Sequence, residues 1–349
     1  MKKNKTIVGV TLMLFTLMLS GCINRGNRLY IYNWTYYTPH SILEKFEKEY
    51  GVKIYYDEYD SNEAMYAKIK AGGSGYDLVF PSADYVSIMI KQNMLEPIDK
   101  SLLTNLDNID PEIYSIISFD PHMEYSIPYY YGTSGIAVNT LRVSEYEKSW
   151  SIFSRKDLKG KMTMLDDYRE VIGGALAYLG YSVNTANPAE IEEASELVNT
   201  EWKPNLIKFD SEAFGKGFAD NNFWVAQGYA EAIFEELSDD SELRGNIEFF
   251  VPEEGGPSYL DSMCILKGSK NIEMAHKFID FIHRPEIYAE FTDYFAFPST
   301  VNVPARQYKK VTPYYEVEAL HNTEMMEDVG EALDFYNRAW FNTIRIGGE

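Results

Sequence analysis

The sequence contains little cysteine and little histidine. Among 349 residues there are two cysteines, Cys22 and Cys264, and five histidines scattered along the chain. Because no Cys/His cluster has the spacing of a zinc or other metal site, we expect neither a metal nor a cofactor. Cys264 lies in an apolar run at 263–266, which favours a small core residue over a reactive thiol.

Basic residues are outnumbered by acidic ones. There are 32 Lys and Arg against 53 Asp and Glu, and the formal net charge is -21. An acidic excess of this size disfavours binding to nucleic acid or to an anionic membrane surface. It is compatible with a cationic ligand, although many proteins are acidic for solubility alone.

Long apolar runs are absent after the N-terminus, where one stretch stands out. Lys2, Lys3 and Lys5 precede an apolar segment at 7–19, and the segment ends in Ser20-Gly21-Cys22. This order resembles the signal peptide and lipobox of bacterial lipoproteins. We therefore expect a signal peptide at 1–21, lipidation of Cys22, a short tether at 22–28, and an exported protein anchored to a bacterial membrane on its periplasmic or extracytoplasmic face. The alternative is an ordinary signal peptide, or a short anchor, with a chance cysteine.

Strand and helix patterns alternate along the rest of the chain. Runs at 29–33, 52–56 and 77–80 have the character of strands, and each is followed by a segment with helical spacing. The alternation starts again near residue 135, with no clear linker before it. The sequence thus predicts an α/β protein with a largely parallel sheet in its first part and two lobes. The chain is expected to cross between the lobes more than once, with a ligand in the cleft between them.

Aromatic and polar side chains follow two of the predicted strands in the first lobe. Trp34 and Tyr37 come directly after the first strand, and Ser82 and Asp84 come after the third. Cleft residues of α/β domains lie at the carboxyl ends of strands, which favours a ligand-binding role. The alternatives are packing for the aromatic residues, helix capping for Ser82, and a helix N-terminal charge for Asp84.

Carboxylates recur in two stretches of the second half. Asp167 and Glu170 are three residues apart, on one face of a predicted helix, although Asp-x-x-Glu is also a variant of the capping box. Tyr259 and Asp261 are two apart in a predicted strand and therefore face the same side. The alternative for this pair is a hairpin with a solvated Asp.

These patterns match the needs of a polyamine, a flexible methylene chain with two or more ammonium groups. A buried ammonium requires a carboxylate partner, and the methylene chain favours aromatic faces. The sequence contains 28 Tyr, 19 Phe and 5 Trp. Their number alone decides nothing, but their positions beside the carboxylates favour a binding cleft for an organic cation.

Taken together, these stretches resemble the spermidine/putrescine-binding proteins of bacterial ABC importers. The resemblance runs from Leu29 to about Gly330 and includes YNWT, MYAK, YDLVFPS, LDDYREV and YLDS, in order. It implies a two-lobed periplasmic-binding-protein fold of type II-like topology that closes on its ligand. It also implies a non-enzymatic, monomeric protein that delivers a polyamine to a membrane ABC permease. The implied lobes are 27–133 plus 261–306, and 134–260 plus 307–349.

The resemblance also implies a set of ligand-binding residues at matching positions. Asp261 is the carboxylate for one amine, while Asp167 and Glu170 serve one end of the ligand. The full set is Trp34, Tyr37, Ser82, Asp84, Asp167, Glu170, Ser211, Tyr259, Asp261 and Phe297.

Three positions depart from the pattern of the spermidine-binding relatives. Asp84 and Phe297 stand where these relatives have Tyr, and Ala226 stands where they have Trp. A long triamine would lose aromatic contacts over its middle, whereas a diamine needs two charged ends and one aromatic sandwich. We therefore expect putrescine to bind at least as tightly as spermidine.

Two other classes compete with this interpretation. One is a binding protein of the same fold for a different small organic cation, which the altered positions would support. The other is a carbohydrate-active enzyme, because paired carboxylates and aromatic platforms also suit sugars. The enzyme is the weaker hypothesis, since Asp167 and Glu170 share one helical turn and no nucleophile motif is present.

Overall fold

The structure is a computed structural model that describes residues 27–35, 37–72 and 75–345. The predicted signal peptide, Cys22 and the first residues of the tether lie outside the described residues. Strand β1 begins at Asn27, so the last two residues of the predicted tether belong to the fold. Within the described residues, no helix is long and apolar enough to cross a membrane.

The described strands and helices follow one another in mixed order along the chain. The strands are β1 (Asn27–Trp34), β2 (Val52–Tyr59), β3 (Leu78–Val79), β4 (Ser126–Thr133), β5 (Gly135–Asn139), β6 (Met162–Met164), β7 (Leu206–Phe209), β8 (Val225–Gly228), β9 (Ile247–Phe250), β10 (Pro257–Ile265) and β11 (Glu324–Met325). The α-helices are α1 (His40–Tyr50), α2 (Asn62–Lys70), α3 (Ala83–Lys91), α4 (Pro111–Ile116), α5 (Tyr168–Leu179), α6 (Pro188–Leu197), α7 (Phe214–Ala219), α8 (Ala230–Phe234), α9 (Ile272–Ile282), α10 (Pro285–Tyr294) and α11 (Leu333–Arg345).

The first sheet has the strand order β11-β10-β3-β1-β2, with β4 paired to β10. Strand β1 runs parallel to β2 and β3, whereas β10 runs antiparallel to β3 and β4. Side chains alternate across this sheet, as expected for strands. Leu29 and Ile31 enter one apolar cluster, and Tyr32 enters the cluster on the opposite face. Cys264 in β10 is fully buried and pairs with Val79 and Ser126.

The second sheet has the strand order β7-β6-β8-β5-β9. It too lies between two apolar clusters: Ile136 and Val138 point into one, and Ala137 points into the other. Strand β5 is antiparallel to β8 and β9, while β6 is parallel to β7 and β8. Both sheets are therefore mixed. The expectation of a largely parallel first sheet was wrong because β10 pairs antiparallel with both β3 and β4.

Local sequence signals explain several of the element boundaries. Helix α1 ends at Gly51, which has a φ of 60° and the left-handed conformation that glycine tolerates best. Ser61 caps α2 by accepting a hydrogen bond from the amide of Ala64 at 3.2 Å. The strand and helix patterns of the sequence had predicted this helix, β5 and most other elements, but they had not predicted β4, α4, α7, α8 or β11.

The chain passes between the sheets at points that matter for the site. Ser134 alone separates β4 of the first sheet from β5 of the second. Strand β10 belongs to the first sheet from Pro257 onward, four residues before the lobe limit expected at 261. Likewise β11 pairs with β10, within the range 307–349 expected for the second lobe. These crossings bring side chains of both sheets to one shared space.

Candidate ligand-binding site

Asp261 lies at an irregularity in β10. The pairing with β4 shifts between Asp261 and Ser262, which leaves Tyr129 as an extra residue on β4. Such bulges redirect side chains. The Asp261 carboxylate, 4% exposed, accepts hydrogen bonds from the Ser82 hydroxyl at 2.6 Å and from the Tyr37 hydroxyl at 2.7 Å. Burial raises its pKa to about 7, against the effect of these two donors.

Asp84 lies beside Asp261, in the first turn of α3. It is half-buried, and burial raises its pKa to about 6, with Arg169 acting in the opposite direction. Asp84 in turn contributes to the raised pKa of Asp261, as expected for two nearby like charges. The first sheet therefore presents two carboxylates that a cation would stabilise in their charged form.

Asp167 caps α5 in the second lobe. Its Oδ1 accepts hydrogen bonds from the amides of Arg169 at 2.8 Å and Glu170 at 3.2 Å. The capping alternative is therefore correct for this oxygen. Burial raises the pKa of Asp167, and Glu63 of the first lobe adds to the effect. Since Glu63 lies in α2, the Asp167 carboxylate is within electrostatic range of the opposite lobe.

Glu170 is fully buried and has other partners than those of a capping box. Its carboxylate accepts hydrogen bonds from the Ser134 hydroxyl at 2.6 Å and the Tyr229 hydroxyl at 3.3 Å. Burial raises its pKa to about 8, and the neighbouring Asp167 charge raises it further. A neutral carboxylic acid buried here would ionise readily when a cation is placed beside it.

Three tyrosine rings connect the two carboxylate pairs. The ring of Tyr259 lies edge-on to that of Tyr229, with centroids 5.8 Å apart, and 6.2 Å from that of Tyr130. Tyr229 follows β8 of the second sheet, whereas Tyr259 and Tyr130 belong to paired strands of the first. The rings of both lobes thus form one aromatic wall beside the carboxylates.

The guanidinium of Arg169, a buried residue directly before Glu170, is held by neutral groups. The Arg169 guanidinium donates to Asn184 Oδ1 at 2.8 Å and to the carbonyl of Glu327 at 3.1 Å, and it lies 5.0 Å from the ring centroid of Tyr336. Its charge lowers the pKa of Asp84 and Glu170, but this effect is smaller than that of burial, which raises both pKa values. The carboxylates thus retain a capacity for a further cation.

Several predicted residues have other surroundings than those expected of a ligand wall. The Trp34 indole donates to the Phe80 carbonyl at 2.9 Å and packs on Tyr59, with centroids 4.8 Å apart. Tyr37 is buried and presents its hydroxyl, rather than an open ring face, to Asp261. In the structure, Trp34 thus packs within the first lobe and Tyr37 orients the Asp261 carboxylate.

Two other predicted positions contact neighbours of the site. Ser211 is exposed, and its hydroxyl accepts a hydrogen bond from the Asp166 amide at 2.8 Å. Phe297, 2% exposed, stacks on the ring of Tyr130 with centroids 4.3 Å apart. It thus packs against one of the three rings of the aromatic wall. Ala226 is buried in the same apolar cluster as Ala137, on one face of the second sheet.

The sequence analysis missed two residues that the structure joins to the site. Ser134 and Tyr229 donate the side-chain hydrogen bonds that Glu170 accepts. Tyr229 directly follows strand β8, and the rule that strands end at the cleft could have found it. Ser134 had no such signal, because its role depends on the crossing between β4 and β5.

The fold and site define a class of protein. Two mixed sheets flanked by helices, with carboxylates and tyrosines gathered where the chain crosses between them, form a receptor for a small ligand. Residues 41–316 match the family described as bacterial extracellular solute-binding proteins. The chain belongs to this family, and the resemblance to its spermidine/putrescine-binding members is confirmed by the relatives that follow.

A spermidine/putrescine-binding periplasmic protein of Escherichia coli K12 is 37% identical to this chain and aligns over 92% of each. The putrescine-binding periplasmic protein SpuD of Pseudomonas aeruginosa is 35% identical, over 83% of this chain and 84% of that protein. Among solved structures, the TpPotD lipoprotein of Treponema pallidum superposes with a TM-score of 0.89. It is 50% identical and covers 91% of this chain and 99% of its own. The expected periplasmic-binding-protein fold is thereby confirmed.

Proposed function

We propose that this protein binds a polyamine, putrescine or spermidine, between its two lobes. The observation that carries the proposal is the placement of Asp261 and Asp84 on one lobe and of Asp167 and Glu170 on the other. Burial raises the pKa of all four carboxyl groups. Ionising them without a counter-charge costs free energy, and a ligand with two or more ammonium groups would supply that charge.

The aromatic wall suits the uncharged part of the same ligand. Tyr259 and Tyr229 offer apolar contact for methylene groups and a negative ring face for an ammonium. A carbohydrate would require hydrogen-bond partners along its whole length, whereas the polar groups here are concentrated in carboxylates at the two sides. We therefore propose binding without catalysis. The names of the relatives given above support the same ligand class.

We further propose that the ligand is delivered to a membrane ABC permease by a monomeric, extracytoplasmic protein. The lobes would be 27–133 plus 261–306 and 134–260 plus 307–349, except that 257–260 and 324–325 join the first lobe because they pair within its sheet. A hinge would lie at the crossings between the lobes. Ligand binding would shift the population toward a closed form, because the carboxylates of both lobes contact one molecule. The permease would then bind this closed form.

Lipidation of Cys22 would hold the protein at the membrane. The order of charged, apolar and small residues before Cys22 supports this proposal, as does the lipoprotein among the similar structures. Wild-type protein expressed with its native N-terminus should sediment with membranes and partition into detergent. Cys22→Ser should be released or remain unprocessed, and mass spectrometry should find lipid on the wild type. Wild-type protein that is cleaved elsewhere and carries no lipid would contradict the anchor.

The ligand itself can be tested by calorimetry on protein refolded after removal of bound ligand. Putrescine, spermidine and cadaverine are titrated in parallel, with GABA as a control that has one ammonium and one carboxylate. We expect saturable binding of putrescine, at least as tight as that of spermidine, and no binding of GABA. Spermidine tighter by tenfold, about 1.4 kcal/mol, would contradict the expected preference. Failure to bind any of the three polyamines would overturn the function.

A further inference from the structure

Gln227 is a fully buried amide residue near the end of strand β8. Its pairing partner on β5 is Ile136, which lies in the same apolar cluster as Val171 of helix α5. Because paired residues share one face of a sheet, the Gln227 side chain lies on the face against which α5 packs. A buried amide destabilises the fold unless it is hydrogen-bonded, so the partners of Gln227 indicate its role.

The neighbours of Gln227 allow its amide one orientation. The backbone amide of Leu165 donates to the side-chain oxygen Oε1 at 3.1 Å. A backbone N–H group can only donate, so the oxygen of the Gln227 amide must face Leu165, and the nitrogen takes the other position. That nitrogen, Nε2, donates to the hydroxyl oxygen of Ser134 at 3.4 Å.

Ser134 connects Gln227 to Glu170. Its hydroxyl oxygen accepts from Gln227 Nε2, which can only donate, and its single proton is therefore directed to Glu170. The distance from Ser134 Oγ to Glu170 Oε2 is 2.6 Å, and both residues are buried. Leu165, Gln227, Ser134 and Glu170 thus form a chain of hydrogen bonds whose donors all point toward the carboxylate. Bonds in such a chain strengthen one another.

A donor at this place favours the charged form of Glu170. Burial raises the pKa of Glu170 to about 8, Asp167 raises it further, and the hydrogen bonds from Ser134 and Tyr229 lower it, as does the charge of Arg169. The ionisable residues that face Glu170, which are Asp167, Tyr229 and Arg169, lie outside the chain of hydrogen bonds. Loss of the Ser134 donor should therefore make Glu170 harder to ionise while these three groups stay in place.

We propose that Gln227 is a positioning residue of the ligand site, which acts through Ser134 to keep a hydrogen-bond donor on the Glu170 carboxylate and so favours the form that binds an ammonium group. This inference rests on the polyamine function proposed above. Gln227 itself does not contact the ligand. Its effect on binding passes through a hydroxyl group that lies at the crossing between β4 and β5.

Three variants separate this role from packing. Ser134→Ala removes the donor to Glu170 and little else. Gln227→Met keeps the approximate length of the side chain but removes both ends of the amide. Gln227→Asn keeps an amide but retracts it by one methylene group, so that it cannot reach Leu165 and Ser134 together.

The chain provides a matched control at the opposite end of β5. Asn139 is fully buried, and its amide has the same pattern of partners as that of Gln227. Its Oδ1 accepts from the backbone amide of Leu141 at 3.1 Å, and its Nδ2 donates to the side chain of Asn221 at 3.0 Å. Asn139→Leu therefore removes an equivalent buried amide without touching the hydrogen bonds of Glu170.

The test measures putrescine affinity by calorimetry at pH 6.5 and pH 9, after thermal melts show which variants are folded. At pH 6.5, Ser134→Ala should bind about tenfold more weakly than wild type, and the folded Gln227 variants about threefold or more. At pH 9 these losses should shrink to about twofold or less, because Glu170 is then largely ionised with or without the donor. The double variant Ser134→Ala/Gln227→Met should lose no more than Ser134→Ala alone, and Asn139→Leu should bind like wild type at both pH values.

Three results would overturn the inference while wild type still binds polyamines and the proposed function stands. Wild-type affinity in Ser134→Ala, or in the folded Gln227 variants, would show that the donor does not support binding. Losses that are equal at pH 6.5 and pH 9 would indicate an effect of packing rather than of ionisation. Additive losses in the double variant would show that Gln227 does not act through Ser134. If wild type binds neither putrescine nor spermidine, the proposed function itself fails.

Discussion

Ser82 and Asp261 are joined twice, although they are 179 residues apart in the sequence. The Ser82 hydroxyl donates to the Asp261 carboxylate at 2.6 Å, and the backbones of the two residues form an isolated antiparallel bridge. Asn62 in turn donates to the Ser82 hydroxyl oxygen at 3.1 Å. The start of α3 and the middle of β10 are thus held in one position, and the direction of the Asp261 carboxylate is fixed by this contact.

Removing this hydroxyl should weaken ligand binding. Ser82→Ala leaves Asp261 with the Tyr37 hydroxyl as its side-chain donor, and loss of a hydrogen bond to a charged group should cost about 1.5 kcal/mol, roughly tenfold in affinity. Calorimetry with putrescine measures the change. Asn187→Ala is the control, because Asn187 caps α6 through the Ala189 amide. Its loss should lower stability by about 1 kcal/mol without changing affinity. An unchanged affinity in Ser82→Ala would show that the donor does not orient Asp261.

Asp261 should be the strongest single anchor of the ligand. Asp261→Asn keeps the shape of the side chain but removes the counter-charge of an ammonium, which should cost about 1.5–3 kcal/mol. This corresponds to about a 10- to 150-fold loss of affinity. Asp220→Asn removes the same charge from an exposed position of the second lobe and should bind like wild type. Equal dissociation constants for wild type and Asp261→Asn would place Asp261 outside the site.

Trp34 should affect stability as well as binding. Its indole bonds to Phe80, packs on Tyr59 and borders both apolar clusters of the first lobe. Trp34→Ala should therefore lower the free energy of unfolding by about 2–4 kcal/mol, somewhat less than truncation of a fully buried Trp. It should also weaken binding. The lost indole bond holds Phe80, two residues before Ser82, and Ser82 orients the Asp261 carboxylate. Urea denaturation and calorimetry measure the two effects separately. A fully stable variant would contradict the packing role, and normal affinity of the folded variant would contradict the ligand-wall role.

The raised pKa values predict opposite pH dependences for stability and for binding. Glu170 and Asp261 have pKa values of about 8 and 7 in the ligand-free fold, well above those of unfolded carboxyl groups. Between about pH 4 and 8 the folded state therefore binds more protons than the unfolded state, so these groups make the free energy of unfolding fall as pH rises. A bound cation favours the carboxylates, so affinity should rise from pH 6 to 8 with release of protons.

Thermal melts of ligand-free protein and calorimetry at pH 6, 7 and 8 measure these two trends. Titrations in buffers of different ionisation enthalpy count the protons released on binding. The Glu170→Gln variant should show a smaller fall in stability between pH 6 and 8 than wild type, because one titrating group is gone. Proton uptake on binding, or an affinity that falls toward pH 8, would contradict the assignment of these carboxyl groups to the site.

The parts of this molecule that were predictable from sequence depend on short-range order. Tyr259 and Asp261 were placed on one face because side chains alternate in a strand, and Asp167 was recognised as a possible cap from its spacing to Glu170. Gly51 ends α1 because glycine tolerates the left-handed conformation found there, which is a property of the residue itself. In each case the feature depends on residues close together in the sequence.

What the sequence did not reveal depends on contacts between distant segments. Helix capping was the alternative considered for Ser82, but its side chain makes no capping hydrogen bond and bonds to Asp261 on β10 instead. Tyr229 packs edge-on against Tyr259 because the end of β8 and the start of β10, in different sheets, lie close together. No local pattern around residue 229 predicts this ring contact, and none around residue 226 predicts the burial of Ala226 in the core.

Cys264 gives the molecule an internal marker for loss of its fold. If Cys22 is acylated, Cys264 is the one remaining thiol of the mature chain, and it is shielded completely between β3 and β4 in the first sheet. A hinge motion of the two lobes leaves these strands paired, so the sulfur stays out of reach of alkylating reagents. Separation of β10 from its neighbours exposes it. Its rate of alkylation thus reports how often the first sheet comes apart, independently of how often the lobes open to exchange their ligand.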